Sequence, residues 1–161
     1  MKSKYKKINS FDTGDILYIP DKYLGTTLSS NCKSFFKRKV SKETYYTNNK
    51  GWRVGKYGEK ARTVDILLAG ASVALGTGNE FKNTIGEILS KKINVKVANI
   101  GVASYSPIQV LRRIKINLKI AKPKVVIYLY DDHLGRSFKP EGFEGLMLRP
   151  FFKKNIKTKK Y

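Results

Sequence analysis

Between Val64 and Tyr130 three short apolar runs alternate with two amphipathic stretches of helical period, an order that few folds accommodate. The first run, DILLA (65–69), is continuous and stops at Gly70, the pattern of a strand buried on both faces. GNEFKNTIGEILSKKI (78–93) follows. Its Phe81, Ile85, Ile88 and Leu89 share one helical face, Asn79 stands where a cap is needed, and Lys91 and Lys92 suit the carboxyl end of the dipole. VKVANIG (95–101) predicts a second strand. SPIQVLRRIKINLKIA (106–121) predicts a second helix, with Ser106 at the cap, Pro107 in the first turn and Gln109 completing a capping box. Leu111, Ile114, Leu118 and Ala121 form its expected buried stripe, and after Pro123 the run VVIYLY (125–130) predicts a third strand.

A β-α-β-α-β order with short connections and right-handed crossovers opens a doubly wound parallel sheet. The expected fold is α/β, a three-layer α/β/α flavodoxin-like sheet, incomplete at its C-terminal side because the last 25 residues hold no two further helix–strand units. Ligands of such sheets sit outside the carboxyl ends of the strands. Three clusters stand at those ends: Gly70-Ala71-Ser72, Gly101 with Ser104, and Asp131-Asp132-His133. Ser104 reads as a loop or cap residue.

The 161 residues suit one domain, and 41% hydrophobic content is enough for a core. Residues 1–60 read as an irregular N-terminal segment with short strands such as ETYYT, residues 61–150 as the α/β domain, and 151–161 as a basic tail. No apolar run approaches the roughly eighteen residues of a membrane helix, and the basic start lacks the apolar stretch of a signal peptide. The cytoplasm is then the default compartment. Cys32 is the single cysteine, so no intrachain disulfide forms, and an inert thiol is expected.

The formal charge is +21, built from 26 Lys and 7 Arg. The basic excess is +9 over residues 1–60, +7 over 61–136 and +5 over 137–161, spread rather than striped. Lysine lacks the fork with which arginine reads bases, so the expectation is solvated faces with weak, salt-sensitive, non-specific polyanion binding. Tyr45, Tyr46 and Trp52 read as packing aromatics rather than as a stacking platform for bases.

Acyl transfer needs a nucleophile, a base and N–H donors for the developing oxyanion. Ser72 follows a strand on a glycine turn, the position of a nucleophile, and its own backbone N–H is a candidate donor to the oxyanion. Gly101 offers a second N–H with no side chain in the way. The alternatives are a turn serine and a turn glycine. Asp131, Asp132 and His133 are equally read as loop residues after a strand; one His beside two adjacent Asp is a poor metal set.

These blocks resemble the SGNH hydrolases, the GDSL-like lipases and esterases. GASVALGTG (70–78) is similar to their first block, ANIGVASYSPIQVLRRI (98–114) to their second, and YLYDDHLGR (128–136) to their third. The upstream YYTNNKGWRVG (45–55) resembles an Asn-x-x-Gly-x-Arg segment of one bacterial branch. The resemblance spans roughly residues 18–150. It implies ester hydrolysis with Ser72 as nucleophile, Gly101 as oxyanion donor and no cofactor; Asp131, Asp132 and His133 take the third-block position. Three departures stand out. Ala71 replaces the usual Asp, no Asn stands in the third block, and no late Asp-x-x-His supplies a base, since His133 is the single histidine. The expectation is a serine esterase on small-molecule, carbohydrate or lipid esters, truncated or base-lacking. The alternatives are an inactive ligand-binding remnant of that fold and a basic polyanion-binding protein.

Overall fold

The computed structural model describes residues 15–37, 42–130, 134–138, 141–142, 147–148 and 150. The chain opens with a hairpin of β1 (Tyr18–Asp21) and β2 (Gly25–Leu28). The Asp21 carboxylate sets its turn by accepting the N–H groups of Tyr23 and Leu24 at 2.8 and 2.7 Å. Next come β3 (Lys33–Lys37), β4 (Lys42–Thr47) and β5 (Arg53–Val54). The parallel part is β6 (Ile66–Gly70), α1 (Ser72–Leu75), α2 (Ile85–Ile93), β7 (Val97–Asn99), α3 (Pro107–Ala121) and β8 (Val125–Leu129). A 3-10 turn, Leu134–Phe138, and the short pair β9 (Glu141–Gly142) and β10 (Met147–Leu148) follow.

Six strands form one mixed sheet in the order β3-β4-β5-β7-β6-β8. β6 lies between β7 and β8, parallel to both. β3, β4 and β5 are antiparallel, and β5 joins β7 through the pair Arg53↔Asn99. The N-terminal segment is therefore continuous with the parallel strands: residues before 60 build half of the sheet. All five residues of β6 are buried, as its unbroken apolar run requires. At its amino end Asp65 ties three strands together. Its carboxylate accepts the Lys96 N–H at 3.0 Å and pairs with Lys124 Nζ at 2.9 Å, and its carbonyl accepts the N–H of Val125 at 3.0 Å.

Two details of the helices correct the sequence reading. Thr84, not Asn79, caps α2, its hydroxyl accepting the Glu87 N–H, because a 3-10 turn, Phe81–Asn83, intervenes. Ile85 and Ile88 are each 42% exposed, so they are not the buried stripe. α2 instead lies on the sheet through Gly86, whose missing side chain leaves room for Leu68 and Val97.

The capping box of α3 forms as its sequence predicts: Ser106 accepts the Gln109 N–H, and Gln109 Oε1 accepts the Ser106 N–H. The expected stripe of α3 holds in part. Ala121 is buried and Ile114 packs against the core, but Leu111 is 58% and Leu118 40% exposed, while Gln109, Arg113 and Asn117 are buried. The buried polar groups are satisfied by the N-terminal segment. Gln109 Nε2 donates to the Leu24 carbonyl at 2.6 Å. Arg113 donates to the Ile100 carbonyl, Thr27 Oγ1 and the Gly51 carbonyl at 2.8, 2.7 and 2.7 Å. Trp52 Nε1 donates to Asn117 Oδ1 at 2.6 Å. A periodicity count favours the apolar face, but the loop carbonyls of residues 24–51 need donors, and α3 supplies them.

The core gathers Leu17, Leu24, Leu28, Leu67, Leu75, Ile100, Val102 and Val110 with Tyr45, Trp52 and Tyr105. Tyr45 and Trp52 are thus packing residues, and Tyr46 is half-buried. Cys32 is buried, and burial pushes its thiol up to about 11, which keeps it protonated at neutral pH. β8 is the edge of the sheet, with Val125 51% exposed.

Candidate active site

Ser72 begins α1 immediately beyond the carboxyl end of β6. The turn depends on Gly70, whose φ is +151°. A Cβ there would lie 2.8 Å from both the Leu129 carbonyl oxygen and Ala74 Cβ, so β8 and α1 close on the backbone from two sides. Ala71 is buried, which excludes it from contact with a ligand. Ser72 is half-buried, and among the described residues nothing hydrogen-bonds its hydroxyl. As the first residue of a helical turn it also has an N–H without an intrahelical acceptor. The Ser72 carbonyl accepts the N–H groups of Gly76 and Thr77 at 3.0 and 2.9 Å, which folds the following turn back on it.

Gly101 lies beside this turn. A Cβ on it would come within 2.3 Å of the Leu75 nitrogen, so α1 can approach β7 only over a glycine. The Gly101 N–H donates to Asn99 Oδ1 at 3.0 Å, and Asn99 Nδ2 donates to the Ala74 carbonyl at 2.7 Å. The amide that the resemblance gives to the oxyanion is therefore engaged within the chain. The loop beyond continues along β6, Val102 N–H reaching the Gly70 carbonyl at 3.2 Å. Ser104 takes a left-handed φ of +64° in that loop, and the cap of α3 is Ser106. Asp131, Asp132 and His133 lie outside the described residues. The residue before them, Tyr130, is exposed, and Leu129 pairs with Gly70 at the same end of the sheet.

Arg53, Tyr45 and Glu43 surround the far side of the turn, a place the sequence reading assigned to none of them. Arg53, only 2% exposed, donates through Nη1 to the carbonyls of Leu75 and Gly76 at 2.6 and 2.7 Å, and through Nη2 to that of Asn79. Its guanidinium lies 4.2 Å from the centre of the Tyr45 ring. Burial lowers its pKa, opposed by the Tyr45, Glu80 and Glu43 side chains. Glu43 Oε2 accepts the Tyr45 hydroxyl at 2.9 Å and the Gly78 N–H at 3.0 Å. Burial pushes the Tyr45 phenol up to about 12. The segment Asn48–Arg53 carried the signal for this cluster. Asn48 Oδ1 accepts the Lys50 and Trp52 N–H groups at 2.9 and 3.1 Å, and a Cβ on Gly51, at φ +68°, would stand 2.6 Å from the Leu28 carbonyl oxygen.

Among the described residues no group of three or more His, Cys, Asp or Glu is arranged to hold a metal ion, and no helix is long and apolar enough to cross a membrane. Comparison of the chain with protein-family models and with curated proteins gave no match.

Proposed function

We propose that the chain is an SGNH-type serine acyl hydrolase on a three-layer flavodoxin-like scaffold, acting on ester bonds. One observation carries this reading: a half-buried serine whose hydroxyl has no hydrogen-bond partner among the described residues begins the turn at the carboxyl end of the central parallel strand. The parallel strand order β7-β6-β8 agrees with it, since β6 comes first in the chain and its neighbours follow on either side. Ser72 Oγ attacks the acyl carbonyl and gives its proton to water or added imidazole, and the Ser72 N–H stabilises the oxyanion. The ester C–O bond breaks to release the alcohol, and water then hydrolyses the acyl-serine. The Gly101 N–H joins when the oxyanion replaces Asn99 Oδ1 as its acceptor.

The base is the weak point of the site. The resemblance assigns it to a late Asp-x-x-His, and the one histidine of this chain is His133. Among the described residues no base stands beside Ser72, and a nucleophile in that state keeps only the part of the rate due to binding and oxyanion donors, about 10³-fold over water. Added imidazole then serves as an external base. The test is release of p-nitrophenol from p-nitrophenyl acetate, with and without imidazole. The reading requires a Ser72-dependent rate that imidazole increases more than it does for Ser72→Ala. Equal rates in both proteins under both conditions contradict it.

The charge of +21 favours a second reading, salt-sensitive binding to polyanions. Binding of a DNA duplex that falls steeply with salt and is untouched by Ser72→Ala supports that role. An inactive ester-binding remnant is the third reading: it retains ligand while the Ser72-dependent rate is missing.

A further inference from the structure

Arg53 lies nineteen residues upstream of Ser72 and on another strand, yet its bonds end at the turn that Ser72 begins. The chain of contacts is short. The guanidinium holds the carbonyls of Leu75, Gly76 and Asn79. The N–H groups of Gly76 and Thr77 in turn hold the Ser72 carbonyl at 3.0 and 2.9 Å. A second hold comes from β4, where Glu43 Oε2 accepts the Gly78 N–H at 3.0 Å. Gly76 also needs its glycine here. Its φ is +76°, and a Cβ would stand 3.1 Å from Arg53 Nη1 and 2.5 Å from Thr84 Cγ2.

We propose that Arg53 is the positioning residue of Ser72: it fixes the backbone of the turn behind the serine and so the direction of the Ser72 Cα–Cβ bond. The inference rests on reading Ser72 as a nucleophile. A burial-matched apolar side chain fills the same space but gives the three carbonyls no donor. Lysine keeps the charge and the stem but not the planar fork that reaches separate carbonyls at once. β4 and β5 bring Glu43 and Arg53 to the turn, while Asn99 of β7 holds the Ala74 carbonyl.

The test compares the rate at which a fluorophosphonate labels Ser72 in the wild-type chain, Arg53→Met, Arg53→Lys and Ser72→Ala. Amide exchange of Gly76–Asn79 and of β6 is followed in parallel. Asp65→Asn, at the opposite end of β6, controls for general destabilisation. The proposal expects Arg53→Met to label at least tenfold more slowly than wild type, with Arg53→Lys in between. The Gly76–Asn79 amides exchange at least tenfold faster in Arg53→Met while those of Leu67 and Leu68 keep their protection, and Asp65→Asn labels at the wild-type rate. A folded Arg53→Met that labels like wild type overturns the proposal and leaves the nucleophile reading standing. If Arg53→Met does not fold, Arg53→Lys decides on the same criterion. A wild-type chain that labels no faster than Ser72→Ala overturns the nucleophile reading, and the positioning role falls with it.

Discussion

Asn99 holds both sides of the candidate site together: its Oδ1 accepts the Gly101 N–H at 3.0 Å while its Nδ2 donates to the Ala74 carbonyl at 2.7 Å. One buried amide thus links the end of β7 to the turn that carries Ser72. It gives Gly101 a packing role as well as its proposed catalytic one.

Gly101→Ala separates these roles. An added methyl meets the Leu75 nitrogen at 2.3 Å and Ala74 Cβ at 2.9 Å, and both belong to backbone or to a buried core residue with little room to yield. Overpacking of this kind costs about 1–3 kcal/mol. Urea unfolding should show a midpoint lowered accordingly, with an unchanged slope.

Arg113→Met removes two hydrogen bonds from α3 to the N-terminal segment, at Thr27 and Gly51, and a third to the Ile100 carbonyl. The Ile100 and Gly51 carbonyls then stay buried without that donor. The expected loss is about 3 kcal/mol or more, since each orphaned buried group costs about 1–3 kcal/mol. Leu111→Ala, at an exposed position of the same helix, should change stability by less than about 1 kcal/mol. The order would reverse if α3 buried its apolar stripe.

Asp65 predicts an acid-side dependence. The Lys96 N–H and then Lys124 hold its carboxyl below the usual range. A depressed folded pKa stabilises the protein above the unfolded value, about 3.9, and that contribution fades as pH falls through the lower folded value. The melting temperatures of wild type and Asp65→Asn should therefore differ at pH 7 and converge as pH falls below the unfolded value and on through the lower folded one.

The buried tyrosines predict an alkaline-side dependence. Burial pushes the Tyr45 and Tyr105 phenols up to about 12 from 10.0, and Tyr18 higher still. For such groups the neutral form is favoured in the folded state. Their contribution is complete below pH 10 and lost as pH rises toward 12. Absorbance at 295 nm should resolve a late-titrating class that joins the normal one in 6 M guanidinium.

Local signals in the sequence told the most where chemistry is local. The continuous apolar run 65–69, the Ser106–Pro107–Gln109 start of α3 and the strand end at Gly70 each follow from a short stretch of residues. What was missed depends on distant partners. The buried face of α3 is polar because carbonyls of residues 24–51 need donors, and no period within 107–121 encodes that demand. Arg53 stood in a segment already marked by its Asn48–Gly51–Arg53 spacing, but its acceptors lie more than twenty residues away at Leu75, Gly76 and Asn79. ETYYT is legible as a strand and forms β4, but its joining to the parallel strands is hidden, since β5 is two residues long and meets β7 at one pair.

The central claim is that Ser72 is a nucleophile, and the most direct measurement is covalent labelling. The chain is incubated with a fluorophosphonate, its intact mass is taken and the modified peptide is mapped. The account predicts a single adduct on Ser72, absent from Ser72→Ala and formed faster when imidazole is added. No adduct, or an adduct that persists in Ser72→Ala, would contradict it.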